Sequence, residues 1–131
     1  MVLKVFTDGG SKGNPGPSTI GMVFYGDGKK IFHHHESIGV ATNNEAEYAA
    51  LIKALEIIMK NYASQAKTVE FFSDSRLMVN QVNGLFKVKQ GKIKEYILKI
   101  RGLEQEIKAP ITYHLIPREK NREADLLVNS V

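Results

Sequence analysis

The sequence predicts an α/β domain in which helices pack on the faces of a mixed β-sheet. Short β-prone segments alternate with segments whose apolar residues recur every three or four positions, in the order β-β-β-α-β-α-α-β-α. A strand followed by a helix and another strand implies parallel pairing with a right-handed crossover. The chain has 131 residues, 43% of them hydrophobic, which is enough for one core. We therefore expect residues 1–131 to form a single domain.

The first three elements are predicted strands. Residues 2–7 are apolar and β-prone, and the turn-rich stretch 8–17 follows them. Residues 20–25 and 30–38 flank the Gly-Asp-Gly segment 26–28, which is typical of a hairpin turn. This order favours an antiparallel meander.

The fourth element is a predicted amphipathic helix over residues 43–62. Its apolar residues recur at helical spacing: Tyr48, Leu51, Ile52, Leu55, Ile58, Met59 and Tyr62. Two pairs fit the spacing of a capping box at its start, Thr42 with Glu45 and Asn44 with Glu47. The sequence leaves both pairs open.

The rest of the chain alternates strands and helices. The predicted elements are a strand, two helices, a strand and a last helix, over residues 68–73, 75–82, 91–107, 111–116 and 121–131. Ser73 or Asp74 is expected to cap the first of these helices. Pro110 ends the second, because proline cannot continue a helix.

Composition excludes several classes of protein. The chain has no cysteine, so disulfide frameworks and thiolate metal sites are excluded, and a reducing compartment is expected. No apolar run approaches the roughly 20 residues that a membrane helix needs. We expect a cytoplasmic monomer with no membrane association, and nothing in the sequence indicates an obligate protein partner.

The net charge of +4 is compatible with a polyanionic partner. Basic residues concentrate between positions 85 and 101, against the single acid Glu95. They are Lys87, Lys89, Lys92, Lys94, Lys99 and Arg101. This basic stripe fits either a solvated helix face or a surface that contacts phosphates.

Four acids stand where predicted elements begin or end. Asp8 and Asp74 follow strands, whereas Glu47 and Asp125 lie early in helices. Ligands of α/β sheets gather beyond the carboxyl ends of the strands, so Asp8 and Asp74 meet there if their strands are parallel neighbours. Each acid also has an ordinary structural explanation as a turn residue, a helix cap or a partner of the helix dipole. No single acid decides between the two interpretations.

Four motifs together resemble a known family, ribonuclease HI. Residues 6–11 (FTDGGS) and 13–17 (GNPGP) resemble its opening, and residues 42–48 (TNNEAEY) resemble its second motif, Thr-Asn-Asn-x-x-Glu. Residues 72–75 (FSDS) and 118–125 (REKNREAD) are similar to the third and fourth motifs. The motifs occur in the order of the family and cover essentially the whole chain.

The resemblance implies a fold and an activity. The fold is the RNase H-like one, with a five-stranded mixed sheet whose first three strands are antiparallel and whose fourth and fifth are parallel to the first. The activity is endonucleolytic hydrolysis of the RNA strand of an RNA–DNA hybrid. Asp8, Glu47, Asp74 and Asp125 would form a catalytic and metal-binding cluster. Oxygen ligands suit hard divalent cations, so two Mg²⁺ ions are expected, with Mn²⁺ as an alternative.

The same resemblance implies substrate contacts. Residues expected along the minor groove of the hybrid, with Thr42 near a DNA phosphate, are Gly9, Asn14, Asn43, Asn44 and Arg76. Asn14 also fits a plain turn position, and Asn43 and Asn44 also fit helix capping.

The sequence departs from the family in two places. Many members carry a histidine in the loop before the final aspartate; here Arg118 or Glu119 could take its part, or both are solvated loop residues. A tryptophan-bearing basic protrusion is missing, because the chain has no Trp, and the stripe that begins at Lys87 and Lys89 would partly replace it.

Two other functions stay open at this point. One is a related nuclease of the same fold that also cuts double-stranded RNA. The other is a non-catalytic hybrid-binding module. Four intact acids argue against the second, because a pure binder gains nothing from clustered negative charge that faces phosphates.

Overall fold

The computed structural model describes residues 1–89 and 91–129, and within them it shows one five-stranded sheet with four α-helices. The strands are β1 (Val2–Ser11), β2 (Gly16–Gly26), β3 (Lys29–Ala41), β4 (Thr68–Ser73) and β5 (Ile111–Leu115). The helices are α1 (Asn43–Asn61), α2 (Arg76–Val82), α3 (Gly91–Ile107) and α4 (Arg122–Asn129), and a short 3₁₀ turn covers Arg118–Lys120. The predicted order of elements is confirmed.

The sheet has the strand order β3-β2-β1-β4-β5, with β1 in the centre. Strands β1, β2 and β3 pair antiparallel, whereas β4 pairs parallel with β1 and β5 pairs parallel with β4. The predicted fold class, a mixed sheet of the RNase H-like type, is therefore confirmed.

The first three strands are longer than the sequence predicts. The stretch 8–17 is rich in Gly, Ser, Asn and Pro and so predicts a turn, but the antiparallel ladder of β1 and β2 continues to the pair Ser11–Ser18. Only residues 12–15 lie between the two strands. The antiparallel ladder between β1 and β2 outweighs the weak strand propensity of these residues.

The bounds of β4 and α3 are as predicted, and the remaining boundaries within the described residues differ by one residue. Helix α1 ends at Asn61 rather than 62, and β5 ends at Leu115 rather than 116. Helix α4 begins at Arg122 rather than 121, and the predicted positions 130–131 lie outside the described residues. None of the helices within the described residues is long and apolar enough to cross a membrane.

Helices pack on both faces of the central strands. On one face, fully buried residues of α1 such as Leu51 and Leu55 join Val5 of β1 and Met22 and Phe24 of β2 in the main core. Helix α3 packs against α1 on this side, and α4 packs against β1 and β2 on the other face. On the α4 face the cover is partial: α4 lies over Gly10 and Gly21, whereas Val2 and Lys4 of β1 are exposed.

Two glycines let the helices approach the sheet closely. A Cβ atom on Gly9 of β1 would lie 2.2 Å from the carbonyl oxygen of Ala46 in α1, a distance that no real contact reaches. A Cβ atom on Gly21 of β2 would lie 3.0 Å from the carbonyl oxygen of Ala124 in α4. The residues that follow Ala46 and Ala124 are Glu47 and Asp125, so these contacts bring two of the four acids close to β1.

The close contact at Gly9 yields a stability prediction. Gly9→Ala should lower the free energy of unfolding by about 1–3 kcal/mol or more, because α1 must move away from β1. Gly102→Ala is the matched control: apart from its chain neighbours and the nearby backbone of α3 itself, no atom of the described residues lies within 4 Å of its Cβ position. That change should raise the free energy of unfolding by about 1 kcal/mol, since alanine favours helix. Urea denaturation measures both, and equal stability of the two variants would contradict the packing argument.

Candidate active site

Asp8 and Asp74 lie side by side where two neighbouring strands part. The parallel pairing of β1 and β4 ends at Phe6–Phe72, although β1 itself continues to Ser11. The expectation that Asp8 ends its strand is therefore wrong, but Asp8 does lie beyond the last residue that pairs with β4. Asp74 follows directly after β4.

The four predicted acids come together in one cavity. One carboxylate oxygen from each of Asp8, Glu47 and Asp74 lies within 4.8 Å of the other two. Asp125, in the first turn of α4, lines the same cavity and contributes to the raised pKa of Asp8. All four line a cavity of about 380 Å³ between β1, α1 and α4.

Glu47 reaches the cavity because another residue pair caps its helix. The backbone N–H of Glu45 donates to Thr42 Oγ1 at 3.1 Å, and the N–H of Thr42 donates to Glu45 Oε1 at 2.8 Å. This capping box is the first of the two predicted alternatives, and the Asn44–Glu47 pair does not form it. Glu47 instead accepts the backbone N–H of Gly9 at 2.8 Å.

Asp74 is also free of a capping role. The expectation that Ser73 or Asp74 caps α2 is wrong: the cap is Ser75, whose hydroxyl accepts the N–H of Met78 at 3.3 Å. Ser73 is buried and accepts the N–H of Ser75 instead. A hydroxyl residue does the capping at both helices, so both carboxylates are left to the cluster.

Burial and mutual repulsion raise the pKa values of three of the four acids, Asp8, Glu47 and Asp74. Burial, with the charges of Asp74 and Asp125, raises the pKa of Asp8 to about 7. Burial and the charge of Asp8 hold the pKa of Glu47 well above its ordinary range. Burial raises the pKa of Asp74, although hydrogen bonding by Asn121 and the charge of Arg118 oppose that rise. Two carboxylates about 5 Å apart repel by roughly 3 kcal/mol at an effective dielectric near 20.

The residues fit a divalent cation bound by oxygen. Within the described parts of the chain, Arg118 is the one basic residue with an ion pair to the cluster. Its Nη2 atom lies 3.7 Å from Asp125 Oδ1, and its side chain is 78% exposed. Such an exposed pair compensates little of the repulsion. Asp8 and Glu47 are buried and Asp74 and Asp125 are half-buried, and carboxylates with so little internal compensation fit a hard cation.

The asparagines predicted to meet substrate hold the rim of the cavity together. Asn14 Oδ1 accepts the backbone N–H of Asn43 at 3.0 Å, and Asn43 Oδ1 accepts the N–H of Ser11 at 2.9 Å. These bonds attach the loop 12–15 to the start of α1. They use the carbonyl oxygens only, so in the described hydrogen bonds the Nδ2 groups of both asparagines take no part.

The other predicted contact residues lie at different depths. Gly9 and Asn43 line the cavity itself, whereas Thr42 is the cap of α1. Asn44 Oδ1 is buried and has no hydrogen-bond partner among the described residues. Arg76 begins α2 and borders an open depression beside Asp74. Glu119 lies in the 3₁₀ turn and is exposed, and it does not line the cavity.

Some residues of the cavity are not predicted from the sequence. They are Gly10, Ser11, Lys12, Pro17, Thr19, Val128 and Asn129. Several of them belong to the stretch whose composition predicts a turn, and their neighbourhood depends on the β1–β2 pairing. Gly10, Ser11 and Pro17 lie within the first motif, residues 6–11 and 13–17, but no local pattern marks the other four as part of a site.

The basic stripe divides into two groups. Lys92 pairs with Glu45 at 2.9 Å, and Lys99 pairs with Glu56 at 3.7 Å, so both attach α3 to α1. Arg101 pairs with Glu104 and donates to the carbonyl of Val82. The remaining residues, Lys87, Lys89 and Lys94, take part in none of the ion pairs found among residues 1–89 and 91–129.

Comparison with known proteins agrees with this geometry. A family model described as reverse transcriptase-like matches residues 6–131. The solved structure of LC11-RNase H1 in complex with an RNA/DNA hybrid is similar, with a TM-score of 0.93 and 40% identity, covering 98% of this chain and 95% of that one. The chain belongs to the ribonuclease HI family.

Other members of the family are similar over the same length of chain. RNase H1 from Halobacterium salinarum has a TM-score of 0.91 and 33% identity, covering 99% of this chain and 96% of that one. The bifunctional protein Rv2228c of Mycobacterium tuberculosis is 36% identical over 131 residues, which are 98% of this chain and 35% of that protein. The chain thus spans about a third of the length of the mycobacterial relatives that it matches.

The raised pKa values predict a pH dependence of stability. An acid whose pKa is higher in the folded protein than in the unfolded chain stabilises the fold below the unfolded value, and this contribution is lost as the pH rises through the folded value. For Asp8 the window runs from 3.8 to about 7. The metal-free melting temperature of the wild type, relative to that of Asp8→Asn, should therefore fall as the pH rises across this window.

Thermal denaturation in a chelator, from pH 4 to pH 8, measures this difference. Asp8→Asn should become the more stable protein near neutral pH, because it removes one of the repelling charges. If the difference in melting temperature between the wild type and Asp8→Asn stays constant across this pH range, the pKa of Asp8 is not raised in the folded protein.

Proposed function

We propose that the chain is an endonuclease that hydrolyses the RNA strand of RNA–DNA hybrids with the help of divalent cations. The observation that carries the proposal is the cluster of Asp8, Glu47, Asp74 and Asp125 in one cavity. Its support is the similarity over nearly the whole chain to LC11-RNase H1, which was solved in complex with an RNA/DNA hybrid. We also propose that residues 1–131 act as one monomeric domain, with the cytoplasm as its location because the chain lacks cysteine.

The four acids would hold the cations, and two Mg²⁺ ions are the proposed complement, with Mn²⁺ as a substitute. Carboxylates and phosphate oxygens are the ligands that Mg²⁺ prefers. Bound cations supply an activated water and offset the charge that develops on the phosphate. Such a reaction needs no nucleophilic side chain.

The chain's own groups orient this site. The N–H of Gly9 fixes one oxygen of Glu47. Arg118 lies at the mouth of the cavity beside Asp125, where its positive charge would favour the approach of a phosphate. Glu119, in the adjacent turn, is proposed only as an auxiliary residue.

Selection of the hybrid would depend on the 2′-hydroxyl, the group that distinguishes RNA from DNA. Asn14 and Asn43 have their side-chain oxygens engaged, which fixes the orientation of the Nδ2 donors at the rim of the cavity. We assign these donors, with Gly9 and Asn44, to the minor groove. Arg76 is also assigned to the minor groove, and Thr42 would approach a phosphate of the DNA strand.

Substitution of single acids tests the function. Asp8→Asn and Asp74→Asn should each reduce hydrolysis of a labelled RNA–DNA hybrid in saturating Mg²⁺ to well below a tenth of the wild-type turnover. The fold should stay intact, because each change removes a repelling charge. Asp27→Asn is the matched control, since Asp27 lies in the β2–β3 turn with a positive φ of 49°, a conformation that asparagine tolerates.

The same assay identifies the substrate. Hybrid, double-stranded RNA, single-stranded RNA and double-stranded DNA are incubated in parallel with the wild type. Cleavage of double-stranded RNA at the rate of the hybrid would point to the broader nuclease, and binding of hybrid without cleavage in Mg²⁺ or Mn²⁺ would point to the binding module. Either result would replace the proposed function.

The two groups within the basic stripe predict different salt dependences. The double variant Lys87→Ala with Lys89→Ala should bind hybrid more weakly. The slope of the logarithm of its binding constant against the logarithm of salt concentration should become shallower by about 0.9 for each phosphate that is no longer neutralised. Lys92→Ala with Lys99→Ala removes the same charge, but from residues already paired with α1, and should flatten it less. Turnover at saturating hybrid should change little in both, because these residues lie away from the four acids.

Binding is measured on the Asp8→Asn background, where the hybrid is not consumed. If the two double variants have equal salt slopes, the basic stripe is a solvated helix face and does not contact phosphates.

A further inference from the structure

Asn121 is buried to 1% exposure at the start of α4, four residues before Asp125. Its side-chain Nδ2 donates to the backbone carbonyl of Thr7 at 2.9 Å. The same Nδ2 atom lies 3.4 Å from Asp74 Oδ2. Its backbone carbonyl accepts the N–H of Asp125 at 3.1 Å. One residue thus touches three chain segments, and each of these segments carries one acid of the cluster.

The hydrogen bond from Asn121 to Thr7 lies on the side of β1 that β4 would otherwise pair with. Parallel pairing between β1 and β4 ends at Phe6, so Thr7 is the first residue of β1 beyond the β4 ladder. The carbonyl of Thr7 is bonded directly to the backbone nitrogen of Asp8. The amide of Asn121 therefore fixes the backbone immediately before Asp8 on the side where pairing with β4 has ended, while β2 continues to pair on the other side.

The contact with Asp74 has a neutral donor. A lysine or arginine there would neutralise the carboxylate and compete with a cation, whereas an amide orients one oxygen and leaves the negative charge in place. The hydrogen bond from Asn121 opposes the rise in the pKa of Asp74 that burial causes. The other end of the amide, Oδ1, is buried and accepts no hydrogen bond from the described residues. The side-chain hydrogen bonds of Asn121 found among the described residues therefore all run from Nδ2, to the carbonyl of Thr7 and to Asp74.

We propose that Asn121 is a positioning residue that holds Asp8, Asp74 and Asp125 at the mutual distances a divalent cation requires. The inference deepens the proposed function and rests on it, because the spacing of the acids matters only if they bind a cation together. Asn121 itself touches neither substrate nor cation in this assignment. It acts through the backbone of Thr7, the carboxylate of Asp74 and the first turn of α4.

The test measures cation binding without nucleic acid. The melting temperature of the full chain is recorded over titrations of MgCl₂ and MnCl₂, and Mn²⁺ binding is measured by calorimetry. Asn121→Ala should raise the cation concentration for half-maximal stabilisation by about tenfold or more, the usual effect of removing a group that orients a metal ligand. If Asn121→Ala does not fold, Asn121→Ser carries the test, because its short hydroxyl cannot replace both contacts.

Asn83→Ala is the matched control. Asn83 also donates from Nδ2 to a strand carbonyl, that of Tyr113 at 3.1 Å, but it lies at the end of α2 and does not line the cavity of the four acids. This variant should lower the melting temperature and leave the midpoint of the cation titration unchanged. If the Asn121 variants behave in the same way as Asn83→Ala, the role of Asn121 is merely structural and the proposal is overturned.

Activity separates this inference from the proposed function. At saturating cation the KM for hybrid should be unchanged in Asn121→Ser, and the loss of turnover at low Mg²⁺ should be recovered as Mg²⁺ is raised. If the wild type binds cations but cleaves no hybrid, the proposed function is wrong. A shifted midpoint of the cation titration in the Asn121 variants would in that case still support the positioning role. If the melting temperature of the wild type does not change with added Mg²⁺ or Mn²⁺, the positioning role of Asn121 is wrong as well.

Discussion

Four carboxylates held close together in a partly buried cavity impose the constraint on which the rest of this structure depends. The pKa of Asp8 is raised to about 7, and that of Glu47 is held well above its ordinary range, because burial and like charge act in the same direction. Roughly 3 kcal/mol of repulsion for each close pair is a large cost for a domain whose net stability is about 5–15 kcal/mol. A cation that the four acids share would turn this cost into binding free energy. The surrounding structure keeps the acids together when no cation is there to do so.

The packing of the helices brings the acids together from both sides. Helix α1 approaches β1 at Gly9 and helix α4 approaches β2 at Gly21, where side chains larger than hydrogen would separate them. Glu47 and Asp125 follow the residues at these two contacts. The main core beneath α1 secures this approach, because it buries Leu51 and Leu55 against the sheet. The site is thus maintained by packing energy rather than by attraction among its own groups.

Neighbouring hydroxyl residues leave the acids available for chemistry. The sequence offers Glu47 and Asp74 as possible capping residues, but Thr42 and Ser75 satisfy exposed N–H groups of α1 and α2 instead. Lys92 and Lys99, for which the sequence leaves open a solvated face or a phosphate contact, pair with acids on α1. Within the described residues, Lys87, Lys89 and Lys94 carry the part of the basic stripe that an added phosphate could still reach.

The sequence by itself determined the order of the elements, the fold class and the identity of the four acids. Helical periodicity and β-propensity are local, and four motifs in family order are specific enough to single out Asp8, Glu47, Asp74 and Asp125. Tertiary structure alone decided the length of β1 and β2, because the pairing of residues 8–11 with 18–21 overrides their turn-like composition. It also decided which capping pair forms, which lysines are engaged, and that Asn121 links three acid-bearing segments. Each of these depends on a hydrogen bond or an ion pair between residues that are distant in sequence, or on a choice between equal local patterns, and no local pattern encodes it.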